Sequence, residues 1–414
     1  MTEWRDLTMR DLMEEFHDGP HATPSPADSG PIYLGIKNIT NAGLLDLGEI
    51  RHIAEDDYAK WTRRVTPQPG DVVFTYEATL HRYALIPEGF RGCLGRRLAL
   101  IRPDQSVVLP RFLHFLMLGP VWRDTVSSRI ISGSTVDRIP IIDFPDFPVA
   151  VPDLITQRAV VEVLGALDDL IENDWRRIEL LQQMAQAIYR EWFVRLRFPG
   201  HEDATFVDSP LGPIPEGWVV SSFADIAAFV NGFAFKPSHW GEAGRPIIKI
   251  RELKQGVTPD TPRCHEQDVG EKYWVEHGDL LFSWSADLGV YRWSDEPGLL
   301  NQHLFTVTPT GDLSLAFLFH ALDVAMPQFW DRAQGTTMRH IKRAAMSEVR
   351  TAIPPQELVE HFTVSVEPAD LEVIALRQSS NRLARIRALL LPKLVSGQID
   401  VSSLDLDAVV ESVA

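Results

Sequence analysis

Two sets of polar and basic side chains stand where a glycine loop could bring them to a ligand. Gly133-Ser134-Thr135 is followed by Asp137 and Arg138, and Gly335-Thr336-Thr337 by Arg339, His340, Lys342 and Arg343. Small residues let a backbone approach a phosphate, hydroxyls and N–H groups bond its oxygens, and nearby cations strengthen the contact. Each set has further members upstream. Thr75, Tyr76, His81 and Arg82 follow one Gly-Asp-Val-Val-Phe run, and Trp284 and Arg292 follow Gly-Asp-Leu-Leu-Phe. Arg96-Arg97 aligns with Gln302-His303, which adjoin Asn301, while Lys37 answers to Arg251, two residues after Lys249. Arg pairs with guanine, and Asn or Gln with adenine, in the major groove. The competing reading of any one of these residues is a solvated loop side chain, because glycine turns with Ser or Thr commonly just open helices. Two scaffolds reading different base sequences would keep a common frame and differ at these positions.

Catalytic patterns are missing. The chain has no GxxxxGK[ST], no GxGxxG after a strand, no HExxH and no GxSxG. Glu252-Leu253-Lys254 could serve a metal nuclease beside an Asp of a neighbouring strand, although an alternating strand edge explains it as well. The 13 His show no pair at helical ligand spacing, and Cys93 and Cys264 are too few for a structural zinc site. The reading is a non-enzyme with no catalytic residue, no metal site and no cofactor of its own.

The elements that must position these residues are written twice. Trp4 before Asp11-Leu12 matches Trp218 before Asp225-Ile226 at an offset of 214; residues 35–39 match 249–253 at the same offset; 70–76 match 278–284 at 208; Gly133 matches Gly335 at 202. Small loop deletions shrink an offset in this stepwise way. In each half short β-type runs (31–39, 71–76, 98–102; then 246–253, 279–284, 304–308) are separated by Gly, Pro and Asp turns. An amphipathic helix over 110–118 or 314–325 follows, and then a long helical segment.

Those long segments carry 4,3 spacing. Val160, Leu164, Leu167, Ile171, Asp174, Ile178, Leu181, Ala185, Ile188 and Trp192 form one seam. Phe362, Val366, Ala369, Val373, Leu376, Ser380, Leu383, Arg387, Leu390 and Leu394 form the other, 202 residues on. Apolar residues every 3.5 positions make a coiled-coil seam, so each helix, about 60 Å long, is expected to pair with the other in antiparallel fashion. Ser380 and Arg387 interrupt the second seam, and Pro368 should bend that helix. The expected fold is α+β. Two pseudo-repeated mixed α/β domains, 1–150 and 199–352 (with a linker at 199–217), are separated by two long antiparallel coiled-coil helices, 151–198 and 353–397, about a pseudo-twofold axis. Residues 398–414 read as a disordered tail.

Composition limits the partners. The chain is 45% hydrophobic and 9% aromatic, enough for packed cores, and no apolar run is long enough to span a membrane. No signal segment opens it, so a cytoplasmic protein is expected. The net charge of −17 weighs against a free-standing nucleic-acid binder, since phosphate neutralisation supplies most such affinity. Any DNA contact needs local basic clusters or a basic partner.

Taken together, GPIPEGW (212–218), Gly-Asp-[Val/Leu]-[Val/Leu]-Phe, Asn301-Gln302-His303, the Gly-Thr-Thr stretch, VPDLITQRAVVEVLGALDDLI (151–171) and LLLPKLVSGQID (389–400) resemble the specificity subunit of a Type I restriction–modification system. The resemblance covers residues 1–400. It departs at Val359, where the repeat would place a Gln to match Gln157, which puts the first turn of the second helix in question. The resemblance implies a phage-defence role with two target-recognition domains, each binding half of a bipartite double-stranded DNA site across a spacer set by the helices. It also implies two methylation subunits, docked by the two long helices, that carry S-adenosylmethionine and methylate adenine N6, and a restriction subunit using ATP and Mg. The alternatives are a coiled-coil adaptor without DNA contact and a stand-alone metal-dependent nuclease.

Overall fold

A computed structural model describes residues 4–133, 136–335 and 339–401. The chain forms two compact units, Met1–Asp169 with Leu383–Ala414, and Leu170–Arg382. Ser134, Thr135, Thr336 and Thr337 of the glycine loops lie outside the described residues.

Unit 1 holds, in chain order, β1 (Arg5–Thr8), β2 (Met13–Asp18), β3 (Ala27–Leu34), β4 (Arg51–His52), α1 (Tyr58–Trp61), β5 (Val72–Thr75), β6 (Tyr83–Leu85), β7 (Gly92–Leu94), β8 (Leu98–Pro103), α2 (Pro110–Leu118), α3 (Pro120–Ser127), β9 (Ile131–Ser132), β10 (Asp137–Arg138), β11 (Pro148–Val151) and the opening of α4 (Leu154–Tyr189). Its strands order as β2-β8-β5-β6, β4-β3-β7, β1-β11 and β9-β10. The central sheet is covered on both faces, which is why β5 reads as an unbroken apolar run rather than an alternation. Val72 and Phe74 face α2, Phe144 and α4, whereas Val73 packs with Leu34, Leu94 and Leu100 toward the second sheet.

Unit 2 holds the rest of α4, the small β12 (Phe206–Val207) and β13 (Ile214–Pro215) hairpin within the linker, and then β14 (Val219–Ser222), α5 (Phe223–Ile226), β15 (Ala227–Asn231), β16 (Arg245–Ile248), α6 (Ile250–Gln255), β17 (Arg263–Cys264), β18 (Trp274–Val275), β19 (Leu280–Ser283), β20 (Gly289–Arg292), β21 (Gly298–Leu300), β22 (Leu304–Pro309), α7 (Leu315–Asp331), α8 (Ala345–Glu348), β23 (Arg350–Ile353) and most of α9 (Gln356–Leu394). Its sheets are β15-β22-β19-β20, β17-β16-β21-β18 and β14-β23. Apart from β12, β13 and β18, each strand answers in order to one of unit 1, and β16 runs parallel to β21 as β3 does to β7. Leu280 and Phe282 point to the helices, and Leu281 to the second sheet, as their counterparts do.

The helices are antiparallel within each unit. In unit 2, Tyr189 near the end of α4 meets Phe362 near the start of α9 (ring centroids 5.6 Å apart), and Ile178 and Leu181 cluster with Val373 and Leu376. In unit 1, Val160 and Leu164 near the start of α4 share a core with Leu391 and Leu394. No seam position of either helix is exposed. The polar members of the second seam are matched: Ser380 Oγ donates to Asp174 at 3.5 Å, and the Arg387 guanidinium pairs with Asp168.

Several local expectations need correction. Residues 250–253 are helix, not strand, because the Lys249 N–H donates to the buried Glu252 carboxylate (3.1 Å) and that cap starts α6. The counterpart in unit 1 is a 3-10 turn, Ile36–Asn38, capped by the Gly35 N–H on Asn38 Oδ1 (2.9 Å). Pro368 does not interrupt α9, which runs unbroken to Leu394. The tail does not leave the fold at residue 398: the Gln398 and Ile399 N–H groups both donate to Lys393 O, and Val401 is buried in the core of unit 1. Val359 is buried at the position that answers to Gln157, and α9 still begins at Gln356. In unit 1 Gln157 accepts the Leu109 N–H ahead of α2 (2.8 Å), whereas Ser314 caps α7 itself by accepting the Phe317 N–H (3.1 Å), so unit 2 has no need of that amide. Among the described residues, no helix is long and apolar enough to cross a membrane.

Candidate nucleic-acid interface

Three loops meet at one end of the central sheet in unit 1. The Tyr76 N–H donates to Arg97 O (3.1 Å), the Ile139 N–H to Tyr76 O (2.8 Å) and the Ala78 N–H to Asp137 O (3.1 Å), with a tight turn closed by the Thr79 N–H on Glu77 O (3.0 Å). The backbone thus ties the segment after β5, the β7–β8 turn and β10 together. Unit 2 repeats the scheme bond for bond. The Trp284 N–H donates to His303 O (3.4 Å), the Ile341 N–H to Trp284 O (2.8 Å), the Ala286 N–H to Arg339 O (2.7 Å) and the Asp287 N–H to Ser285 O (2.7 Å). Ala78 and Ala286 take φ of 71° and 61°, a conformation costly for a residue with a Cβ. Gly19 and Gly232 lie beneath these loops, where a Cβ would come within 2.1 Å of Gly95 O and 2.2 Å of Asn301 O, so each position admits only glycine.

On this shared frame the side chains diverge. Tyr76, Glu77, Arg96, Arg97, Asp137 and Arg138 of unit 1 stand where unit 2 has Trp284, Ser285, Gln302, His303, Arg339 and His340. Tyr76 donates through its hydroxyl to Arg96 O (3.2 Å), and Arg97 pairs with Glu77 at 3.1 Å. Trp284 lies 5.8 Å from the His303 ring and donates its indole N–H to Asn231 Oδ1 (3.3 Å). Gln302 Nε2 and His303 Nε2 are 3.4 Å apart. The exposed Arg339 guanidinium sits over Trp330 at 5.7 Å, and the exposed Arg343 donates to Phe229 O (3.3 Å). Arg96, Arg138 and Lys342 are exposed as well. His81, with positive φ, lies within 3.3 Å of Ser127 Oγ; burial, and then the Arg123 charge, lower its pKa and favour the neutral ring.

Other candidates are placed elsewhere. Thr75 is fully buried, and Asn301 is 6% exposed, its Oδ1 accepting the His303 N–H, so both support the loop rather than face solvent. Arg82 donates to Ile36 O and Ile39 O, bracing the 3-10 turn. Arg292 turns its Nε to Gly278 O (2.7 Å) and lines a small cavity with Arg377 and Asp370 at α9; burial lowers its pKa. Lys37 is exposed and pairs with Glu49, Lys249 lies over Trp240 at 4.8 Å, and Arg251 bonds Thr258. Glu252 is occupied as a helix cap and as acceptor of the Thr261 hydroxyl, and among the described residues no His, Cys, Asp or Glu cluster could hold a metal ion.

Residues 215–358 match the family described as Type I restriction modification DNA specificity domain. The chain is 23% identical over 375 residues to the specificity subunit of Type I restriction enzyme MjaIX from Methanocaldococcus jannaschii, covering 86% of this chain and 83% of that one. It is 22% identical over 367 residues to the specificity subunit of HindI from Haemophilus influenzae, covering 72% and 80%. Its fold is similar to the crystal structure of a Type I restriction–modification S subunit from M. genitalium, with a TM-score of 0.57 at 13% identity over 95% and 96% of the two chains. Residues 215–358 thus carry the match to that family, and most of the chain is similar in sequence to Type I specificity subunits.

The sequence reading missed Glu77 and Ser285, which stand at the centre of the two loop clusters. The 208-residue offset that relates the Gly-Asp strands reaches them directly, and the flanking Ala78 and Ala286 are even identical. It also missed four exposed apolar side chains that flank the seam of α4. The seam residues are occupied by the helix pair itself, whereas Leu170, Trp175, Leu180 and Met184 are 43–60% exposed.

Proposed function

We propose that each unit reads one half of a bipartite DNA site through its loop cluster, and that the chain serves as the sequence-recognising, non-catalytic subunit of a Type I assembly. The observation that carries this reading is the duplicated backbone hydrogen-bond frame with different side chains at matching positions. A frame of that kind presents a fixed geometry to the duplex while leaving base choice to Arg, Gln, His and Glu. The exposed stretch of α4 is the proposed docking site for methylation subunits. Those subunits bring S-adenosylmethionine and methylate adenine N6, and a restriction subunit brings ATP and Mg. Such partners also supply the positive charge that a chain of net −17 lacks.

Exchanging residues 1–150 for those of a relative with another target, followed by mapping of methylated adenines in the host genome, should alter one half of the site and leave the other intact. An unchanged methylation pattern would leave an adaptor without DNA contact as the remaining reading. At finer grain, Gln302→Ala should relax one position of the half-site read by unit 2 by about 1–3 kcal/mol, and Arg339→Ala should weaken binding to all sequences and lower the salt slope by about 1.

A further inference from the structure

Unit 1 contains an apolar cavity of about 180 Å³ that opens at the surface between α3, β11 and the end of α9. Trp4, Leu116, Val121, Trp122, Val149 and Val395 line most of it. Interiors pack to near-crystalline density, and an apolar cavity of about 150 Å³ is large enough to take up benzene.

The internal repeat explains the void. In unit 2 the helical turn that continues α4, Arg190–Val194, and the residues after it supply an aromatic plug. Phe193 packs on Trp218 (ring centroids 5.9 Å apart), Phe317 (5.1 Å) and Phe362 (5.0 Å), and Phe198 packs on Trp218 at 5.4 Å. Trp4 is the unit 1 counterpart of Trp218. At the offset of 202 that relates the helices, the segment after α9 offers Val395 for Phe193 and Asp400 for Phe198. The tryptophan floor is retained and the aromatic plug is not. The outer rim is apolar too, with Val121 60% exposed.

We propose that this cavity receives one aromatic side chain from a methylation subunit, seated on Trp4 as Phe193 and Phe198 are seated on Trp218. The inference rests on the functional reading for the identity of the partner; the cavity and its aromatic preference rest on the repeat alone. Buried aromatic anchors in preformed pockets carry much of the energy of an interface. The plug would make completion of unit 1 conditional on assembly, whereas unit 2 is complete by itself.

The test uses the full-length chain. Indole should raise the melting midpoint of the wild-type chain by about 3 °C at millimolar concentration, and Val395→Phe, which installs the residue of unit 2, should raise the midpoint itself and abolish the response to indole. Val121→Trp, at the exposed rim, should leave the midpoint unchanged. Both variants should bind methylation subunits at least tenfold more weakly than wild type. No indole response in the wild-type chain, or undiminished recruitment by both variants, overturns the proposal. A wild-type chain that recruits no methylation subunit overturns the functional reading along with it.

Discussion

His114, on α2, shows how one side chain sets a condition on the fold. It is 5% exposed. Burial, with the charge of Arg387 adding to it, pushes its pKa down to about 4. The unfolded chain protonates this ring near pH 6.5. Between pH 6.5 and 4 the unfolded state therefore binds a proton that the folded state refuses, so stability present above pH 6.5 is lost as pH falls. The limiting slope of about 1.4 kcal/mol per pH unit gives about 3 kcal/mol over the window. Urea midpoints at pH 7 and pH 4.5 should differ more in wild type than in His114→Leu, and equal differences would refute this. Nothing in Pro110-Arg111-Phe112-Leu113-His114 announces the effect, because the arginine that contributes to it is 273 positions away in sequence. Candidate site residues were legible to the same limited degree. Residue type pointed to Arg97, His303 and Arg339, but whether a polar side chain faces solvent or braces a turn depends on tertiary contacts, and so Thr75, Arg82 and Arg292 proved to be braces.

The paired helices were the most legible elements, since few structures besides a packed helix pair require a 3.5-residue repeat over several turns. Their exceptions carry the information. Arg387 stands in an apolar seam because Asp168 faces it, and burial raises the pKa of Asp168 against the pull of that cation. Arg387→Leu should cost about 3 kcal/mol by leaving the carboxylate uncompensated, and Asp168→Leu in the same chain should restore most of it. A double-mutant cycle by denaturant unfolding measures this, and a single variant as stable as wild type would contradict it. Beside the α4 seam, Leu180→Asp with Met184→Asp should leave the unfolding midpoint unchanged and abolish binding of methylation subunits in a pull-down with purified components. Strand and helix were hard to tell apart over residues 250–253 because the deciding feature is a single capping bond from Lys249 to Glu252. A run of six residues is too short for periodicity to outweigh it.

At the scale of the whole chain, the duplication was legible because offsets of 214, 208 and 202 survive when side chains change. What the offsets could not reveal is that backbone hydrogen bonds, more than side chains, are the part of the loop clusters that repeats. With a net charge of −17, the isolated chain should bind its DNA target weakly and with a steep dependence on salt, and tighten greatly with its partners. Titration of labelled duplex at two salt concentrations checks this, and tight binding by the lone chain at physiological salt would refute it. Finally, an alanine stands in the left-handed region at the same point of both clusters, Ala78 and Ala286, so each loop stores strain that its backbone hydrogen bonds must hold. Glycine takes that conformation without the Cβ penalty, so Ala→Gly at both positions should leave the unfolding midpoint unchanged or raised, and a clear fall in the midpoint would show that the strain is not there.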